Sequence, residues 1–268
     1  MVRVRVTEFT DPYCTWCWGA EPVVRRLREV YRDQLRVEFV MGGQVEDYDD
    51  FHDPGGDHDH PEEVAPHWVT AAHRHGMPVD ASLWETDPPK SSYPACIAYE
   101  AATFQDGDLA DRFLRRMREA GLARARNLER IEVLADLAGT VGLDVDLFRT
   151  DFASGRAREA FEADLRRVRQ HGGASLPAFH VVVDGREELL RGYRPFVAFE
   201  KLFAEQAPDL VEHDPRPLAE FVAAYGSVAA QEVAEVYGIS REEATSRLRE
   251  LPAVEAIDAG NGSLWERR

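Results

Sequence analysis

The strongest constraint in this sequence is where strand-like alternation falls: twice near the start, then not again until Ala178. Val2 to Phe9 reads as a strand, with Val2, Val4 and Val6 on one face, and Asp11-Pro12 breaks it. From about Thr15 to Arg32 the apolar residues Val23, Val24, Leu27, Val30 and Tyr31 recur at helical spacing. Arg36 to Met41 alternates again, and Gly42-Gly43 ends that unit. Far downstream, Ala178 to Val183 and Glu188 to Arg191 flank the turn signal Asp184-Gly185, and Pro195 to Glu205 reads as a helix. The two flanks, β–α–β and β–β–α, are expected to share one small sheet of an α/β fold.

Between them, from about Ala65 to Gln170, the periodicity is helical. The better helices are Tyr93 to Phe104, Asp108 to Ala120, Leu128 to Val141, Val145 to Ser154 and Arg156 to Gln170. Pro94, behind Ser91 and Ser92, makes a good helix start. This predicts a first domain over residues 1–207 with a helical insertion at about 62–170, packed over one end of the sheet. Pro208 to Pro217 looks like a linker. Beyond it, Leu218 to Tyr225, Val228 to Tyr237 and Arg241 to Leu251 read as helices, the last two joined by Gly238-Ile239-Ser240. A hairpin, Val254 to Ile257 and Ser263 to Trp265, turns at Gly260-Asn261-Gly262. Residues 208–268 therefore have the outline of a winged helix-turn-helix.

The chain has 268 residues, of which 44% are hydrophobic, enough for a sizeable core. A net charge of -17 repels nucleic acid and anionic membranes unless a local basic patch overrides it. The winged module's second helix mixes Arg241, Arg247 and Arg249 with Glu242, Glu243 and Glu250, a balanced face that suits packing or protein contact better than DNA. Lys90 and Lys201 are the only lysines, and this arginine-rich, acid-rich composition resembles that of proteins from salt-loving organisms, haloarchaea in particular. Met1 to Phe9 lacks the apolar region of a signal peptide, and no apolar run reaches the ~20 residues of a membrane helix. The expected location is the cytoplasm, with no membrane partner. Glu46 to His60 is acidic and His-rich. Its His52, Asp53, Asp57, His58, Asp59 and His60 match no calcium-loop or zinc spacing, so a solvated loop is expected there and no metal.

Three cysteines make no disulfide framework, but two of them form Cys14-Thr15-Trp16-Cys17 where a strand hands over to a helix. Unpaired N–H groups and the helix dipole at such a start stabilise a thiolate at Cys14. Cys17, one turn further in, is expected to be buried and protonated. Cys14 would attack and Cys17 resolve the mixed disulfide, with no cofactor needed. Zinc wants four ligands; Cys96 could be a third sulfur, but no fourth is specified. Cys96 otherwise reads as a third redox thiol or a buried structural cysteine. Glu8, on the strand feeding the helix, reads either as an acid beneath the site that takes the proton of Cys17 or as an exposed strand acid. Pro177, opening the third strand, suits a cis bond that exposes the backbone of Leu176 to a bound peptide; the alternative is an ordinary trans proline. Trp16, Leu176 and Ser175 are the candidate substrate contacts; Trp18 suits either that groove or the core.

The stretches Asp11-Pro12-Tyr13-Cys14-Thr15-Trp16-Cys17-Trp18-Gly19 and Ser92-Tyr93-Pro94-Ala95-Cys96 resemble the DsbA-like branch of the thioredoxin superfamily, and its cytoplasmic FrnE-like members most. They are also similar to related adaptors that deliver a transcription factor to the Clp protease. The resemblance covers about Val2 to Glu205. It implies a thioredoxin-like fold with a helical insertion and a protein disulfide oxidoreductase acting on cysteine-containing proteins or low-molecular-weight thiols. In that pattern Cys14 is the nucleophile, Cys17 the resolving thiol, Glu8 the buried acid and Pro177 the cis-proline. The Thr-Trp dipeptide departs from the Pro-His of periplasmic oxidants, and Leu176 from the usual Val or Thr. The rival readings are a non-catalytic adaptor that binds a client protein and a redox-sensing DNA-binding regulator.

Overall fold

The computed structural model describes residues 3–50, 63–172 and 175–268. The acidic cluster from His52 to His60 lies outside the described residues, as do Val2, Gly173 and Ala174. The N-terminal unit runs β1 (Val4–Thr10), α1 (Thr15–Tyr31) and β2 (Leu35–Met41). After the insertion come β3 (Ala178–Val183), β4 (Arg186–Arg191) and α9 (Phe196–Gln206). The strands form one sheet in the order β2-β1-β3-β4, with β1 parallel to β2 and the other pairs antiparallel. The two flanks do share a sheet, in an α/β thioredoxin-like core.

Alternation along β1 sets the two faces. Val4 and Val6 pack with Val23, Val24 and Leu27 of α1 and with Phe199 of α9. Phe9 points the other way, onto Val168. Glu8 shares the face of Val4 and Val6, so it is buried beneath α1 and the exposed alternative is excluded.

The insertion is wholly helical: α2 (Val64–His75), α3 (Leu83–Thr86), α4 (Tyr93–Thr103), α5 (Gly107–Ala123), α6 (Ile131–Val141), α7 (Val145–Ala153) and α8 (Arg156–Gln170). Phe113, Met117, Leu134, Phe148 and Phe161 fill its core. Helix α8 returns across the sheet, where its Val168 covers Phe9, Val40 and Ala178.

The C-terminal module runs α10 (Leu218–Tyr225), β5 (Ser227–Ala229), α11 (Ala230–Tyr237), α12 (Arg241–Arg249), β6 (Val254–Ala259) and β7 (Gly262–Arg267). The sequence reading missed β5, whose three residues pair with β7, Val228 opposite Trp265. Burying Val228 against the module's own core of Phe221, Val233, Leu248 and Trp265 outweighs helical continuation there. The stretch from Pro208 to Pro217 is tied down rather than free. His213 N–H donates to Val30 O at 2.9 Å, Gln34 and Val211 exchange two hydrogen bonds, and Arg216 pairs with Glu29 at 3.0 Å. The hairpin tip is pinned as well: Asn261 N–H donates to Val79 O at 3.0 Å, and its side chain accepts from Val79 N–H at 2.9 Å. Gly260 turns there with φ +54°, and a Cβ would lie 2.1 Å from Val79 O. Arg241, Thr245 and Arg249 of α12 line a cleft against Ala72, His73 and Gly76, so this helix face is turned to the body of the protein. No described helix is long and apolar enough to cross a membrane.

Candidate functional site

Strand β1 ends at the Asp11-Pro12 break, and the chain turns into α1 with Cys14 as its N-cap. The Cys14 sulfur accepts from Cys17 N–H at 3.2 Å, satisfying one of the orphan donors of the helix start. Its thiol also contacts Leu176 O at 3.7 Å, across the cis Leu176-Pro177 bond. Gly42 leaves room for this loop: a Cβ there would sit 2.7 Å from the Leu176 side chain. The expected residues are thus brought together: Cys14, Cys17, Leu176 and Pro177 meet at one end of the sheet. Half-buried Trp16 and exposed Ser175 lie beside them in sequence.

Access is the surprise. Cys14 is 2% exposed and Cys17 0%, so neither sulfur lies open to solvent. Burial pushes the Cys17 thiol well above its ordinary range, and the neighbouring Cys14 and Glu8 add to that. Glu8 does not stand free beneath it. Its Oε1 accepts from Thr10 Oγ1 at 2.9 Å and pairs with Arg118 Nη2 of α5 at 3.1 Å. Burial raises the Glu8 carboxyl against the pull of Arg118.

Arg118 opens a charged network that the sequence reading missed. It also contacts Thr10 Oγ1 and pairs with Glu21 of α1. Burial alone would raise Glu21, but Arg118, Arg115 and Arg25 hold it down to about 2. Arg115 pairs with Glu119 at 2.8 Å and with Glu232 of α11 at 2.8 Å. Glu232, fully buried, also takes Arg25 at 2.9 Å and accepts from Ala229 N–H at 2.7 Å. Arg25 donates to Ser227 O and lies 4.4 Å over the Tyr225 ring. An unbroken buried chain of charges therefore runs from the floor of the thiol site to the C-terminal module. The signal for it was faint: Ala110, Leu114 and Arg118 fall four apart, placing an arginine on the apolar stripe of α5.

Two more residues escaped the sequence reading. Asp11, read as a strand breaker, is a buried hub. Its carboxylate accepts from Tyr13 N–H, Gln44 N–H and Ser92 Oγ at 2.8, 2.7 and 2.6 Å, and from the Cys96 thiol at 3.4 Å. This settles Cys96 as a buried thiol pushed up by burial and by Asp11. His75 closes α2 against Thr15, Nε2 to Oγ1 at 3.2 Å, while its Nδ1 accepts from Met77 N–H at 3.1 Å. Burial lowers His75 to about 4. Trp18 belongs to the core, with Nε1–H donating to Pro78 O at 2.8 Å. Among the described residues no group of three His, Cys, Asp or Glu side chains could hold a metal ion.

A family model described as Thioredoxin matches residues 8–200. Along nearly the whole chain the similarity is to proteins described as ClpXP adapter protein SpxH. That from Halalkalibacterium halodurans is 28% identical and covers 98% of this chain and 88% of its own length. That from Shouchella clausii is 29% identical over the same shares. A solved structure from Nitrosomonas europaea, assigned to a protein disulfide isomerase, superposes with a TM-score of 0.64. It is 24% identical and covers 76% of this chain and 99% of its own, which bears on the fold alone.

These comparisons correct the functional expectation. The DsbA-like, FrnE-like reading and the protein disulfide oxidoreductase it implied are overturned, because the relatives that extend over almost the full length are adapters. The expected partners, cysteine-containing proteins or low-molecular-weight thiols, fall with it. Burial of Cys14, 2% exposed with its thiol against Leu176 O, accords with that correction.

Proposed function

The chain belongs to the thioredoxin family whose model spans residues 8–200, and from that premise we propose that it is a non-catalytic adapter that presents a client protein to a ClpXP-type protease. The observation that carries this reading is the length of the similarity. The family model stops at residue 200, whereas likeness to the adapters covers 98% of the chain and so takes in the C-terminal module. An adapter must hold a client in a fixed position, and the architecture suits that task. Residues 1–207 and 208–268 act in this proposal as two parts of one rigid body, joined through Glu232 and the pinned hairpin tip.

In this role the C-x-x-C region serves recognition. Trp16, Leu176 and Ser175 are assigned to client contact, and Cys14, Cys17, Glu8 and Pro177 to holding that surface in shape. The thiol contact from Cys14 to Leu176 O supports this, since it fixes the loop that would meet a client. The cytoplasmic location expected from the sequence goes with the role.

Protein half-lives in cells lacking the chain test the proposal, with complementation by wild type or by C14S/C17S, whose serine hydroxyls can keep the contacts of Cys14 to Leu176 O and Cys17 N–H while removing the thiol chemistry. The expected result is at least one regulatory protein that persists without the chain and whose turnover both versions restore. Unchanged half-lives throughout, together with insulin reduction that depends on Cys14, would sink it.

A further inference from the structure

The edge strand β2 borders a cleft of about 970 Å³, walled on its far side by α10 of the C-terminal module. Its charge runs against the rest of the molecule. The chain has 49 acidic and 32 basic residues, yet the cleft is lined by seven arginines and four carboxylates. Arg28 of α1 is paired with Asp111 at 3.0 Å, and Arg116 with Glu119 at 2.6 Å. Arg112 and Arg167 have no carboxylate within ion-pair distance among the described residues. Among the described residues, two arginines of this concavity thus lack a carboxylate partner, in a chain whose net charge is -17.

The backbone adds a second feature. Gln34 O accepts from Arg3 N–H and Gly42 N–H donates to Thr10 O, so even-numbered residues of β2 turn toward β1. Met41 N–H donates outward, to Asp164 of α8, so odd-numbered residues turn away from it. Val37 and Phe39 therefore aim N–H and C=O groups from the sheet edge into the cleft, and among the described residues β2 pairs only with β1. Such an edge is a template for an added strand.

We propose that this cleft binds an extended acidic segment of the client, which adds as a strand beside Val37 and Phe39 and pairs its carboxylates with Arg112 and Arg167. Charge selects the occupant: a basic segment would be repelled, and a neutral one would leave the arginines unmatched. The cleft lies between the sheet and the C-terminal module, so its occupant would touch both parts of the protein. This inference rests on the adapter reading for its client, but the binding itself needs no protease.

Fluorescence anisotropy with the full chain tests it, using a labelled ten-residue peptide of alternating Glu and Val. The peptide is expected to bind, about tenfold more weakly to R112E/R167E, and about tenfold more weakly again to wild type when its alternate amides are N-methylated. A Lys-Val peptide is expected not to bind. Equal binding of the Lys-Val or N-methylated peptide overturns the proposal, as does displacement of the acidic peptide by a single-stranded oligonucleotide of equal charge at lower concentration. Loss of the cleft proposal with client turnover intact leaves the adapter reading standing. Peptide binding with no effect of the chain on any half-life overturns the adapter reading alone.

Discussion

Arg118 and Glu8 meet inside the protein, Nη2 to Oε1 at 3.1 Å, with both side chains fully buried. They lie 110 positions apart in sequence, so this pair joins the central strand to the helical insertion directly beneath the thiols.

Removing the arginine alone should be costly. Arg118→Leu leaves Glu8 and Glu21 without their nearest counter-charge in a dry interior. A loss of about 3–5 kcal/mol is expected for breaking a buried pair. Glu8→Gln should cost less, because Arg118 keeps Glu21. Denaturant titrations of both variants at one salt concentration give the comparison; equal losses would contradict the arrangement.

Glu232 joins the C-terminal module to the rest through Arg25 and Arg115. Glu232→Ala should destabilise that junction by about 3–5 kcal/mol. Limited proteolysis is the sensitive readout. Cleavage between 208 and 217 should accelerate in the variant, while wild type stays resistant. Unchanged cleavage would mean that the hairpin tip and the 208–217 contacts suffice.

His75 makes stability fall in mild acid. Its folded value, about 4, lies below the ordinary 6.5, so the unfolded chain takes up the proton first. Stability present above pH 6.5 should drain away as pH falls toward 4, by roughly 3 kcal/mol. His75→Gln should flatten that part of the pH–stability curve, and thermal melts at half-unit pH steps measure it.

Glu100 works in the opposite sense. Burial first, then Asp164, raises it from 4.5 to about 8. The folded state holds this proton, so the associated stability is complete below pH 4.5 and is lost as pH rises through 8. Asp164 also accepts from Met41 N–H at 2.7 Å, so the loss should loosen the end of β2. Glu100→Gln should melt above wild type at pH 9, and hydrogen exchange at Met41 should be slower in it.

Much of this was legible because it is local. Val4 and Val6, Ala178 to Val183, and the Asp184-Gly185 turn identify their strands by period and turn chemistry alone. Pro94 marked the start of α4, and Pro177 the cis turn before β3. The C-x-x-C spacing placed both sulfurs on the first turn of α1. Where β5 replaced the start of a helix, the local preference of Val228 and Ala229 yielded to pairing with a strand distant in sequence.

The sequence by itself determined the β–α–β and β–β–α flanks of one α/β sheet, the helical insertion between them and the seat of the two sulfurs, because periodicity, turns and helix starts act over a few residues. Only the tertiary structure decided that Cys14 is covered, that Glu8 belongs to Arg118, that Asp11 and His75 brace the site, and that Glu232 locks on the C-terminal module. A period assigns a side chain to a face. Which distant residue supplies its counter-charge, and whether water still reaches it, depends on how the elements pack.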